Sequence, residues 1–118
     1  MIKVTANQLT KQTIKMLSYC GFELWRQNNG GVYDAKFSGY RKGSSTPGIS
    51  DILGYHKKTG KIIAVEIKAG KDKLSIEQER FLAGVNKSGG FGHVVRTLDD
   101  ISELIKKYND IQRSLSKF

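Results

Sequence analysis

From Thr5 to Cys20 the apolar positions follow a helical period, with Leu9, Thr13, Met16, Leu17 and Cys20 on one side. Thr5 can cap this helix, Gln8 three residues on completes a capping box, and Gly21 is a natural stop. The period then shortens. Phe22 to Arg26 alternates as a strand does, Asn28-Asn29-Gly30-Gly31 is a strong turn signal, and Val32 to Phe37 is the expected returning strand. Residues 38–48 are rich in Gly and Ser, include the single proline, Pro47, and read as an exposed loop. Two apolar runs follow, GISDILGYH and KIIAVEIK, joined through Lys58-Thr59 by a hairpin turn. Ser75 opens a second helix with Phe81, Leu82 and Val85 on its inner face, and Gly89-Gly90 ends it. His93 to Thr97 is a short strand. Asp99 or Asp100 caps a last helix, striped by Ile101, Leu104, Ile105, Tyr108, Ile111 and Leu115. The predicted order is α-β-β-β-β-α-β-α. It describes one α/β domain over residues 1–118, with a mixed central sheet flanked by helices.

The hairpin carries the chemistry. Folding its runs back about Lys58-Thr59 sets Asp51 opposite Glu66 or Ile67, depending on register. Opposed residues of antiparallel strands have Cβ atoms about 4.5–5.5 Å apart. Two carboxylates that close repel unless a positive charge separates them, and a divalent cation is the usual solution. Alternation puts Lys68 on the same face as Glu66, so two oxygen donors and one ammonium converge. Glu66 is also embedded in IIAV and Ile67, where a carboxylate must be paired or metal-bound.

Charge sharpens the picture. Twenty basic residues against eleven acidic ones give +9, a field that favours polyanions, nucleic acid above all. From Arg41 to Lys73 there are eight basic residues and three acidic ones, and two of the three are Asp51 and Glu66. An acidic pit in a basic surface suits a nuclease. Arg26, Arg41, Lys42, Lys71 and Lys73 are candidate phosphate contacts, and Tyr40 a candidate stacking residue. Gln78 has two open readings: closing the Ser75 capping box, or reaching toward the reacting phosphate. Cys20 is alone, which excludes an internal disulfide and a cysteine zinc cluster and leaves a small buried residue. Neither His56 nor His93 has a ligand-spaced partner. No apolar run is long enough for a bilayer, and MIKVTANQLTKQ is not a secretory leader, so a cytoplasmic protein without membrane or small-molecule cofactor is expected.

Thr46-Pro47-Gly48-Ile49-Ser50-Asp51, a hairpin, and Glu66-Ile67-Lys68 together resemble the PD-(D/E)XK nuclease signature. Trp25-Arg26-Gln27-Asn28, GISDILG, AVEIKAG, Ser75-x-x-Gln78 with FLAGVNKSGG, and VVRTLDD are similar to a phage-type VRR-NUC domain within that superfamily. The likeness covers roughly Gln8 to Asp100. E-x-K alone is a weak signal; the ordered set is specific. The resemblance implies a restriction-endonuclease-like fold, with Mg²⁺, or Mn²⁺ in its place, held by Asp51, Glu66 and the Ile67 carbonyl. It implies that Lys68 orients or deprotonates the attacking water, and that Gln78 reaches that water or the scissile phosphate. Two departures stand out. Ser50 replaces the proline that commonly precedes the acid, and the first helix lacks the family's Glu, so Gln8 or Gln12 stands there and one or two metal ions remain open.

The leading expectation is therefore a metal-dependent DNA endonuclease leaving 5′-phosphates. A chain this small has no separate sequence-reading domain, so it should read shape. The resemblance implies a Holliday-junction-resolvase-like homodimer in a bacterial or phage-infected cell. Flap-, nick- or restriction-like cleavage is the alternative within the class. A basic nucleic-acid-binding protein without catalysis, indifferent to Asp51 and Glu66, is the alternative outside it. A third class, an inhibitor or assembly factor borrowing the fold, has only the small size in its favour.

Overall fold

The structure, a computed structural model, describes residues 3–27, 32–34, 39–41 and 46–116, with the backbone alone described at 32–34, 39–41 and 111–116. The elements are α1 (Ala6–Ser18), β1 (Phe22–Arg26), β2 (Val32–Asp34), β3 (Gly39–Arg41), β4 (Ile52–His56), β5 (Ile62–Ile67), α2 (Ile76–Lys87), β6 (Phe91–Val95) and α3 (Leu98–Ser116). Four strands form the main sheet in the order β1-β4-β5-β6. β4 pairs antiparallel with both β1 and β5, while β6 joins β5 in parallel. That last pairing needs a crossover, which α2 supplies. None of the described helices is long and apolar enough to cross a membrane.

Two expectations about strands are corrected. β1 does not pair with the segment that follows it. Its partner is β4, from Phe22↔His56 to Arg26↔Ile52. β2 instead pairs with β3, an additional short strand within the stretch expected to be loop, in the register Val32↔Arg41 to Asp34↔Gly39. The distant partner wins because it fits the core. Phe22 packs edge-on to His56, with ring centroids 5.1 Å apart, and Gly54 lets the strands close: a Cβ there would lie 2.1 Å from the Glu23 carbonyl oxygen.

Strand alternation divides the interior in two. Phe22, Ile52, Ile63, Val65, Ile67 and Val95 point to one face, where Leu9 and Leu17 of α1 and Ile101, Leu104 and Tyr108 of α3 cover them. On the other face Ala64 lies beneath Leu82 and Val85 of α2, with Leu53, Phe81 and Val94 at the margin. Capping boxes fix the helix starts. Thr5 and Gln8 close α1, and Ser75 and Gln78 close α2. At α3 the cap position belongs to Thr97: its Oγ1 accepts the Asp100 N–H at 3.3 Å, and the Asp100 carboxylate accepts the N–H groups of Thr97 and Arg96. Of the two aspartates read as caps, it is Asp100 that takes part, from inside the first turn.

Candidate active site

The β4–β5 hairpin turns where Lys58-Thr59 predicts. Tyr55 pairs with Ile62, and the Gly60 N–H donates to the His56 carbonyl at 2.8 Å. The register Ile52↔Val65 then leaves Asp51 one residue beyond the ladder and opposite Glu66. Asp51 is anchored at both ends. Its carbonyl accepts the Gln27 N–H at 2.7 Å, continuing the contact with β1, and its Oδ2 accepts the Ile67 N–H at 2.8 Å. A side chain thus takes the place of a ladder bond.

Glu66 lies between β4 and β6, beside Val94, and is 2% exposed. Burial, and then the Asp51 carboxyl next to it, push its carboxyl up to about 8. Lys68, half-buried two residues on, favours the ionised form but does not outweigh them. Glu66 Oε1 accepts the Gln78 Nε2 hydrogen at 3.1 Å. Oε2 is buried and, among the described residues, meets no hydrogen-bond donor. With both acids ionised that oxygen is unsatisfied, so it needs either a proton shared with Asp51 or a cation.

The Gln78 carboxamide closes the cap and at the same time reaches Glu66. Its Oε1 accepts the Ser75 N–H at 2.9 Å and its N–H donates to Ser75 Oγ at 3.1 Å, which closes the cap and leaves Nε2 aimed at Glu66. The loop before β4 presses onto this helix start. Gly48 has φ +71°, and a Cβ on it would come within 2.2 Å of the Glu77 carbonyl, so glycine is required there on two counts. Between loop and helix lies an open cleft of about 530 Å³, bordered by Thr46, Gly48, Asp51, Ser75, Glu77 and Gln78. A second cleft of about 350 Å³ reaches Asp51 from the other side, past Asn7, Thr10, Arg26 and Gln27. Asp51 borders both.

The decisive comparison is with protein families: the VRR-NUC domain model matches residues 27–98, more than half of the chain. The chain belongs to the VRR-NUC family. Domains of this family are generally nucleases. Among solved structures, one described as a VRR_NUC domain matches with a TM-score of 0.60 at 20% identity, covering 89% of this chain and 99% of its own; that is a likeness of fold. No curated protein matches the chain.

In this VRR-NUC domain Asp51, Glu66, Ile67, Lys68 and Gln78 come together where β4, β5 and α2 meet. Arg26 lines the second cleft, its Nη2 donating to Asn7 Oδ1 at 2.7 Å. Lys71 and Lys73 are exposed in the connection from β5 to α2. Arg96 pins that connection, its Nη1 donating to the Asp72 carbonyl at 2.6 Å. Tyr40 and Arg41 belong to β3, with their side chains outside the described residues, as is the whole of Lys42. Neither Gln8 nor Gln12 stands at the acids; both border a separate cleft with Val4, Lys11 and Leu98. The first helix contributes Asn7 and Thr10 instead. Sequence reasoning missed these two, together with Gln27 and Arg96. The available signal was the i, i+3 spacing of Asn7 and Thr10 on a helix face adjoining the apolar stripe.

Proposed function

We propose that this nuclease domain is a divalent-metal-dependent DNA endonuclease, with Asp51, Glu66 and the Ile67 carbonyl holding Mg²⁺ or Mn²⁺. The carrying observation is the buried Glu66 Oε2, which meets no donor among the described residues, beside a second carboxylate at the edge of an open cleft. The Ile67 N–H already points to Asp51, and a residue's N–H and C=O leave a strand on the same side, which favours its carbonyl as a third donor. Among the described residues no group of three His, Cys, Asp or Glu forms a ready-made cage. A set of hard oxygens this sparse suits Mg²⁺, which keeps several waters and takes up substrate phosphate oxygens. When bound, such an ion would lower the pKa of water and offset charge developing on the phosphoryl oxygens.

The chain's own residues do the rest. Gln78 fixes the Glu66 carboxylate from α2, and the Ile67 N–H fixes Asp51. Lys68 orients the attacking water or takes its proton. Arg26, Lys71 and Lys73 meet backbone phosphates, supported by the +9 charge of the chain. The substrate we favour is branched DNA, cut by a homodimer that places one site on each of two strands.

The test is cleavage of labelled four-way junction, flap, duplex and single-stranded DNA with Mg²⁺ or EDTA, comparing wild type with Asp51→Asn and Lys68→Ala. Metal-dependent junction cleavage lost in both variants is expected. Cutting of duplex or flap alone would overturn the substrate while leaving the chemistry. Binding without cutting, unchanged in Asp51→Asn, would overturn the catalytic reading.

A further inference from the structure

α2 covers only half of its face of the sheet. The side chains on that face are Glu23 and Trp25 of β1, Leu53 and Tyr55 of β4, and Ile62, Ala64 and Glu66 of β5, because their neighbours Phe22, Leu24, Ile52, Ile63 and Val65 pack into the core on the opposite face. α2 lies over β5 and β6, with Leu82 and Val85 against Ala64. On the other half, Trp25 and Tyr55 stand side by side, ring centroids 6.4 Å apart and tilted by 60°. Each is 45% exposed, and neither belongs to a core cluster. Two large rings held together by strand pairing yet left in water do not serve the core.

Their position relates them to the acids. Trp25 pairs with Leu53, two residues along β4 from Asp51, and shares its face with Glu66. At about 3.3 Å per residue and 4.8 Å between strands, the Trp25 and Asp51 backbones are about 8 Å apart, a gap that a short run of nucleotides bridges. Arg26, the next residue of β1, points to the opposite face, where it lines the second cleft at Asp51 and donates to Asn7 Oδ1. The Trp25 face therefore offers an aromatic pair next to the acidic site, on a chain of charge +9. That spacing suits a base and the bond cut beside it on one strand.

We propose that Trp25 and Tyr55 form a stacking platform for an unpaired base next to the scissile phosphate, so that this domain selects nucleic acid with unpaired nucleotides beside the cut. The proposal rests on the nuclease reading above and specifies its substrate. A base inside a duplex has both faces occupied by its neighbours, whereas an unpaired base can lie on an aromatic side chain, and such stacking tolerates any sequence.

Trp25 is the single tryptophan of the chain, so its fluorescence reports on the platform directly. In EDTA, the full chain is titrated with a single-stranded oligonucleotide, a blunt duplex of the same length, and a duplex carrying a single-stranded flap. Saturable quenching by the single strand and the flap, and little by the blunt duplex, is expected. Trp25→Ala should weaken single-strand binding, measured by anisotropy of a labelled oligonucleotide, about five- to one-hundredfold, with duplex binding unchanged. Trp25→Phe, which keeps a ring and guards against a folding defect, should retain most of the affinity. Tyr55→Ala should weaken binding with Trp25 still reporting. Equal quenching by duplex and single strand, or no affinity loss in Trp25→Ala, would overturn the platform. So would absent quenching combined with a shift from dimer to monomer in Trp25→Ala by sedimentation, which would make the face a contact between two copies. The two readings fail separately. Quenching without cleavage of any DNA would remove the nuclease and keep the platform, and cleavage dependent on Asp51 and Lys68 without quenching would do the reverse.

Discussion

The buried carboxyl of Glu66 should make the metal-free protein lose stability as the pH rises toward 8. Its carboxyl is raised from 4.5 to about 8 in the fold, by burial first and the Asp51 carboxyl second. The folded chain therefore keeps a proton that the unfolded chain releases. That contribution is fully present below pH 4.5 and is lost as the pH climbs through 8. His93 acts in the opposite sense at lower pH. Burial, then Lys107, holds its imidazole down at about 4 instead of 6.5, so its contribution is present above 6.5 and lost as the pH falls through 4. Cys20, pushed up by burial from 9.0, ionises higher still. Among the described groups with a shifted pKa, Glu66 alone changes charge between pH 6.5 and 8. With one proton bound at the lower limit and half at the upper, stability should fall by about 1–2 kcal/mol across this interval. In urea melts with EDTA that is a midpoint lower by about 1 M for a chain of this size. Glu66→Gln keeps the shape and the acceptor for Gln78, and its amide can donate to Asp51 as the protonated acid would. Its midpoint should stay flat across the interval and exceed that of wild type at pH 8, while cleavage is lost. A wild-type midpoint that does not move, or an equal slope in Glu66→Gln, would refute the buried-pair argument.

Three further outcomes follow from single contacts. Gly48→Ala forces an L side chain into φ +71° and against the Glu77 carbonyl; a loss of about 3 kcal/mol or more is expected, read as a lower thermal midpoint and weakened cleavage, and an unchanged midpoint would contradict it. Ser50 Oγ is buried and, among the described residues, without a hydrogen-bond partner, so Ser50→Ala should be neutral or stabilising by up to about 1 kcal/mol in urea melts; a clear loss would show that the hydroxyl is satisfied. His93 Nε2 meets the Tyr108 hydroxyl beneath Phe91 and Phe22, so an NMR titration should place the His93 midpoint near 4, and Tyr108→Phe should cost about 1–3 kcal/mol at neutral pH by leaving a ring nitrogen unpaired.

What the sequence revealed and what it concealed divide by range. The β4–β5 hairpin was legible because its turn at Lys58-Thr59 and the alternation on either side agree, but its register stayed open by one residue at Asp51 until the structure set Ile52 against Val65. Burial of Glu66 was legible because the residues around it leave a carboxylate no other surroundings. The partner of β1 was not. Asn28-Asn29-Gly30-Gly31 signals a local hairpin, and nothing local shows that Phe22 belongs beside His56 across more than thirty residues. Gln8 drew attention through its capping box, and it does make that box. The same bond turns it from the acids, because consecutive helical residues point about 100° apart and Asn7 takes the facing direction.

The capping motif at α2 shows how Gln78 closes a helix start and still touches Glu66. A carboxamide has an acceptor end and a donor end, and the Ser75 N–H occupies the first. The second is then fixed in direction by the same bond that starts the helix. Asp51 is held in the same manner, by the Ile67 N–H that would otherwise bond across the ladder. Each acid is therefore oriented, directly or through one side chain, by a main-chain donor of a regular element. Such donors cannot move without unwinding a strand or a helix turn. Two carboxyls that repel, one of them buried with an oxygen left over, stay in place because the backbone around them has more to lose by letting them part. The cost is intrinsic to the site, and it is the feature a cation would relieve.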